Sequence, residues 1–178
     1  MISQTAEAKT CVGTVLFTDL VGFTEFNDVV GDTEALAVLE QQTAMAASVV
    51  ARADHEARIV KELGDGLMMW FESAPEAITA AAGLLTALDG ARSGGSFPLS
   101  VRMGLHHGEA VERGDDLVGR TVNVAARISD LAGPGELLVS DEAIEAGAHR
   151  AAGSAFEPIG PVSVKGVHEP IWLQRLIT

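Results

Sequence analysis

The chain is predicted to form an α/β (α+β) domain with a ferredoxin-like βαββαβ core and additional C-terminal strands and helices. Strand-like and helix-like stretches alternate in the order strand–helix–strand–strand–helix–strand over the first 105 residues, which is that supersecondary pattern. Gly64-Asp65-Gly66 separates two of the strand-like runs, and an Asp-Gly pair between strands is a strong hairpin signal. Hydrophobic residues make up 47% of 178, enough for one domain with a substantial core. No internal repeat, linker or low-complexity segment divides the chain. Residues 1–10 are polar and expected to be flexible, and 11–178 are expected to form a single domain.

Cys11 to Thr18 reads as a buried strand. Thr24 to about Ala53 reads as helix in two pieces broken near Gly31. Asp32 or Thr33 is the expected cap of the second piece, and Leu36, Leu39 and Met45 are expected among its apolar positions. Arg58 to Leu63 and Leu67 to Phe71 read as the two hairpin strands. Pro75 to about Leu88 is an alanine-rich helix with its proline in the first turn. Gly90 to Ser96 is a loop. Leu99 to Leu105 alternates as a strand does. A hairpin-like stretch follows, then a helix from about Arg120 to Leu131 ended by Gly133-Pro134-Gly135. Leu137 to Val139, a short helix after Ser140, Phe156 to Val164 and Ile171 to Ile177 complete the domain. Trp70 and Trp172 are expected in the core. Phe17 and Phe23 are expected to wedge the Asp19 loop, and His106 and His107 to be structural.

Composition excludes several classes. The net charge is −13, which opposes binding to a nucleic-acid polymer but not to a mononucleotide held by a few local cations. An RNA-binding ferredoxin-like domain also lacks its stacking aromatics here. No apolar run reaches the ~18 residues of a membrane helix. The N-terminus lacks the basic start and apolar stretch of a signal peptide. Cys11 is the only cysteine, so it is read as a reduced core thiol of a cytoplasmic protein. Lysine is scarce: Lys9, Lys61 and Lys165 are the only three.

Three stretches carry chemistry. The first is Phe17-Thr18-Asp19-Leu20-Val21-Gly22-Phe23. The second is Lys61-Glu62-Leu63-Gly64-Asp65-Gly66, and the third runs from Asp116 through Gly119 and Asn123 to Arg127. In the predicted fold the first and third strands lie antiparallel, so Asp19 and Asp65 should converge at one edge of the sheet. Two carboxylates suit divalent metals, which prefer hard oxygen ligands. Lys61 can only donate and Asp116 can only accept. That pair fits adenine, whose N1 accepts and whose amine donates, and it opposes guanine. Asn123 and Arg127 are four apart and share one helix face.

Together these stretches resemble the class III nucleotidyl cyclase family, and more particularly its bacterial adenylyl cyclases. The resemblance runs from about Cys11 to Arg175. It implies that ATP is converted to 3′,5′-cyclic AMP and pyrophosphate, with Asp19 and Asp65 holding two Mg²⁺ or Mn²⁺ ions. It implies that Lys61 and Asp116 read the base, with Asp115 adjacent as a competing acid. Asn123 would orient the ribose and Arg127 stabilise the pentavalent phosphate. Arg102, in Val101-Arg102-Met103-Gly104, and Lys165, in Val164-Lys165-Gly166, resemble the phosphate-binding cations of the family. The family assembles as a head-to-tail homodimer with sites at the interface, and this chain carries every role itself. Two other functions remain open: a guanylyl cyclase, and a nucleotide-binding regulatory domain without turnover. Loss of a metal Asp or of the Asn/Arg pair would mark the latter, and neither is lost. The Gly-Gly-(Asp/Glu)-Glu-Phe signature of diguanylate cyclases is absent.

Overall fold

The computed structural model describes residues 9–53, 56–151 and 153–177. In chain order the elements are β1 (Thr10–Leu20), α1 (Phe23–Val30), α2 (Asp32–Val50), β2 (Arg58–Leu63), β3 (Gly66–Phe71), α3 (Ala74–Ser93) and β4 (Val101–Arg113). They continue with β5 (Asp116–Val118), α4 (Arg120–Leu131), β6 (Leu137–Ser140), α5 (Asp141–Glu145), β7 (Ala155–Val162) and β8 (Ile171–Ile177). The strands form one eight-stranded sheet in the order β2-β3-β1-β4-β6-β8-β7, with β5 beside β4. The β2-β3-β1-β4 half is the expected ferredoxin-like core. Most of the segment expected to be loose, residues 1–8, lies outside the described residues.

Strand alternation explains the two layers. On β1, Leu16 and Leu20 face one way, into a cluster built with Val38 and Ala46 of α2 and Ile78, Leu84 and Leu88 of α3. Val15 and Phe17 face the other way, against Val122 and Ala125 of α4. Val124 and Ile128 of α4 pack on Leu138, Ile171 and Leu173. Helices therefore cover both faces. Ser73 caps α3 by accepting from the Glu76 amide, and Pro75 stands in its first turn, where its missing N–H has no helical partner to lose.

Five expectations are corrected. Residues 90–93, expected in a loop, are helical, because α3 runs on to Ser93. The residue capping α2 is Gly31, at φ 89°, with no side-chain cap; Asp32 is already helical. Only glycine reaches that φ without strain, so the backbone break sets the helix start. Leu36 is exposed, while Ala35, Val38, Gln42 and Ala46 form the buried stripe. Small residues let α2 lie close to its neighbours. Trp172 is 57% exposed, because Ile171 and Leu173 take the inward positions of β8; a continuous Ile-Trp-Leu run does not reveal which alternate faces in. Trp70 is buried as expected. Cys11 is only half-buried, at the margin of the cluster under α4.

His106 and His107 are both tied into the sheet. His107 Nδ1 is hydrogen-bonded with Thr14 Oγ1 at 2.9 Å. His106 Nδ1 and Ser140 Oγ lie 2.8 Å apart in a buried hydrogen bond, and Ser140 also caps α5. Burial pushes the His106 pKa down to about 4, and Glu142 only partly opposes it. The unfolded chain therefore takes up this proton first as pH falls. The stability that neutral His106 contributes is full above its ordinary 6.5 and is lost between there and about 4. The difference corresponds to on the order of 3 kcal/mol. A His106→Gln variant should lose less stability than the parent over that pH range, measured by urea unfolding. Parallel pH profiles would contradict this account.

Candidate active site

Asp19 is placed by the end of β1. It shares the α4-facing side with Phe17, one alternation on, and sits directly opposite Arg102 on β4. Thr18, just before it, is 2% exposed. The Thr18 hydroxyl accepts from Gln42 Nε2 at 3.1 Å and from the Leu67 amide at 3.2 Å. These bonds tie α2, β1 and β3 together immediately beside the acid. Sequence reasoning missed Thr18 and Gln42 as supports; the only signal was a glutamine on the buried face of a helix.

Asp65 occupies a two-residue turn. Leu63 pairs with Gly66 across it, and Gly64 takes φ 66°, a conformation that favours glycine. Gly66 has a second reason to be glycine. A Cβ there would lie 2.6 Å from the Thr18 carbonyl oxygen, so a larger residue would push the turn off β1. The close approach brings Asp65 to Asp19, as the fold predicted. Burial, and then the Asp19 charge, raise the Asp65 pKa. Two facing carboxylates that repel suit a divalent cation. Among the described residues no group of three or more His, Cys, Asp or Glu could hold a metal. The paired carboxylates of Asp19 and Asp65 alone fit an ion that takes its remaining oxygens from substrate phosphate or water, as Mg²⁺ does.

Arg102 lies on the same spot. Its Nε and Nη2 both donate to Asp19 Oδ2, at 2.7 and 2.6 Å. Its Nη1 donates to the Asp130 carbonyl at the end of α4, at 3.1 Å. That carbonyl is reached because Gly104 lets α4 close on β4. A Cβ on Gly104 would collide with the Ser129 amide nitrogen.

Lys61 and Asp116 come together from β2 and β5. Lys61 Nζ lies 2.8 Å from both Asp116 oxygens. Asp116 Oδ1 also accepts from the Leu117 amide at 2.8 Å. The Lys61 hydrogen bond holds the Asp116 carboxyl below its ordinary pKa. Both side chains remain about one-third exposed, so the pair is within reach of a ligand. Asp115 is exposed in the turn, and it is Asp116 that meets Lys61.

Asn123 and Arg127 project from the exposed side of α4, whose other side is buried through Val124, Ala125 and Ile128. Lys165 follows Val164, which packs in the same cluster as Val124 and Ile128. That anchor sets the lysine beside the helix. Asn123, Arg127 and Lys165 line one open cleft of about 820 Å³. Asp19, Asp65, Lys61 and Asp116 are not among the residues lining it. The predicted residues thus fall into three groups: the acids with Arg102, the Lys61–Asp116 pair, and the α4–Lys165 cleft.

Comparisons with known proteins identify the family and the fold. Residues 5–174 match the adenylate and guanylate cyclase catalytic domain. The chain is 31% identical over 165 residues to a pH-sensitive adenylate cyclase of Mycobacterium tuberculosis, covering 92% of this chain and 40% of that protein. It is 33% identical over 125 residues to an adenylate cyclase of Streptomyces griseus, covering 70% and 30%. The chain spans less than half the length of the curated relatives it matches. The fold superposes on the crystal structure of the adenylyl cyclase CyaB from P. aeruginosa with a TM-score of 0.85, at 22% identity and 97% coverage of both chains. The 170-residue span of the family match (174 − 5 + 1) takes in all three groups of residues: the chain belongs to the class III nucleotidyl cyclases, as an adenylate and guanylate cyclase catalytic domain.

Proposed function

We propose that the chain is an adenylyl cyclase, converting ATP to 3′,5′-cyclic AMP and pyrophosphate in the cytoplasm. The ribose 3′-oxygen bonds to the α-phosphorus and gives up its proton. The bond from that phosphorus to the bridging oxygen breaks, and pyrophosphate leaves. The observation that carries the reading is the pre-formed Lys61–Asp116 pair, with Nζ at 2.8 Å from each carboxylate oxygen. It sets a donor beside an acceptor, the complement of the adenine N1 and amine edge. Guanine meets a donor with a donor and an acceptor with an acceptor.

The other residues take the following roles. Asp19 and Asp65 would hold two Mg²⁺ or Mn²⁺ ions, which would supply charge neutralisation for the phosphoryl transfer. Arg102 and Lys165 bind the triphosphate. Asn123 orients the ribose. Arg127 offers a rigid fork of donors to the charge that develops on the α-phosphate. Sites are shared in a head-to-tail homodimer. One subunit contributes Asp19, Asp65 and Arg102, and the other contributes Lys61, Asp116, Asn123, Arg127 and Lys165. This division is the one the family resemblance implies. Incubation with ATP and Mn²⁺ should yield cyclic AMP and pyrophosphate in equal amounts, read by chromatography. Cyclic GMP from GTP as the main product, or no cyclic nucleotide from either substrate, would overturn the proposal.

A further inference from the structure

Asp130 stands in the last turn of α4, where no basic residue accompanies it. A negative charge there faces the negative end of the helix dipole, so helix stability does not explain it. Its neighbours do. Asp130 Oδ2 lies 3.3 Å from Arg127 Nη1. Its other oxygen lies 3.9 Å from Arg102 Nη2, and its backbone carbonyl accepts from Arg102 Nη1 at 3.1 Å. That carbonyl is one of the helix-terminal acceptors with no partner inside the helix. Asp130 therefore touches both arginines. Charge alternates along an unbroken path: Asp19, Arg102, Asp130, Arg127.

We propose that Asp130 is a positioning residue of this cyclase, which sets the guanidinium of Arg127 through its carboxylate and that of Arg102 through its carbonyl. The inference rests on the roles proposed above for those two arginines. In a head-to-tail dimer they serve different sites, so Asp130 joins the metal end of one site to the transition-state end of the other. The Arg127–Asp130 pair is about half-exposed on both sides, at 51% and 54%, and such pairs add little to stability. Its loss should therefore appear in turnover rather than in folding.

The test compares Asp130→Ala and Asp130→Glu with the parent, in the whole chain. Misplacing a group by about 1 Å can cost as much as 10²-fold. Asp130→Ala is expected to lower kcat roughly 10-fold to 100-fold, with KM and melting temperature little changed. Asp130→Glu restores the charge on the same helix face and should recover most of the loss. In an Arg127→Lys background Asp130→Ala should have much less effect, because it acts through Arg127. In the nucleotide-free protein, the Nε–H NMR signal of Arg127 should shift in Asp130→Ala, whereas that of Arg102, held through the backbone carbonyl that alanine keeps, should move little. Unchanged kcat in an active parent, full additivity with Arg127→Lys, or an unmoved Arg127 signal would overturn the inference. A parent inactive on ATP and GTP would instead remove the proposed function, and the Arg127 NMR signal would still decide whether the Asp130 carboxylate sets that arginine.

Discussion

Asp19→Ala and Asp65→Ala should each lower turnover by at least ~10²-fold, the usual loss when a transition-state charge interaction is removed. The two variants should part company in stability. Asp19 accepts both bonds from Arg102, so its loss strands a half-buried guanidinium and should lower the melting temperature. Asp65 is in the opposite position. Burial and the Asp19 charge raise its pKa, so the ionised carboxylate opposes folding, increasingly as pH rises through its ordinary range. Its removal should leave the metal-free protein as stable as the parent or more so. Mn²⁺ relieves the same repulsion. At ~100 times its dissociation constant a bound ion stabilises by ~2.7 kcal/mol, or roughly 5–10 °C in a domain of this size. Calorimetry with and without Mn²⁺ should show that rise in the parent and its loss in Asp65→Ala. Retained activity in either variant, with unchanged metal dependence, would end the two-metal assignment.

Mixing two dead variants should restore activity. Asp19→Ala spoils one half of the shared site and Arg127→Ala the other. A heterodimer of the two contains one site free of both changes and one carrying both. An equimolar mixture with free subunit exchange should therefore recover about a quarter of parental activity, since about half the dimers are mixed and each has one good site. Specific activity should also fall on dilution as dimers dissociate. The outcome is not trivial, because Arg102 and Asp130 run between Asp19 and Arg127 within one chain. No recovery, with exchange confirmed by mass-tagged subunits, would mean that each chain builds its own site.

Much of this arrangement was legible in the sequence, for physical reasons. The Asp-Gly turn and the strand order were enough to bring Asp19 and Asp65 together, because register in an antiparallel core follows from which face is buried. Asn123 and Arg127 followed from helical spacing. What escaped notice depends on long-range packing. The face of Trp172 was hidden in a run apolar on both sides. The buried Gln42–Thr18 bond joins residues 24 positions apart. Asp130 has a local sign, three residues after Arg127, but its meaning lies in Arg102, which is 28 positions earlier. Gly104 and Gly66 read as ordinary glycines until the backbone that each must admit is in view.

The most direct test of the adenylyl assignment is the ratio of kcat/KM for ATP to that for GTP, in the parent and in a variant with Lys61→Glu and Asp116→Ala. Each unpaired buried polar group costs ~1–3 kcal/mol. Two of them correspond to roughly 30-fold to 10⁴-fold at ~1.4 kcal/mol per decade. The parent should prefer ATP by a factor in that range, and the double variant should lose the preference without having to become a good guanylyl cyclase. A parent that uses both nucleotides within a few-fold, or a ratio unmoved by the double substitution, would show that Lys61 and Asp116 do not read the base.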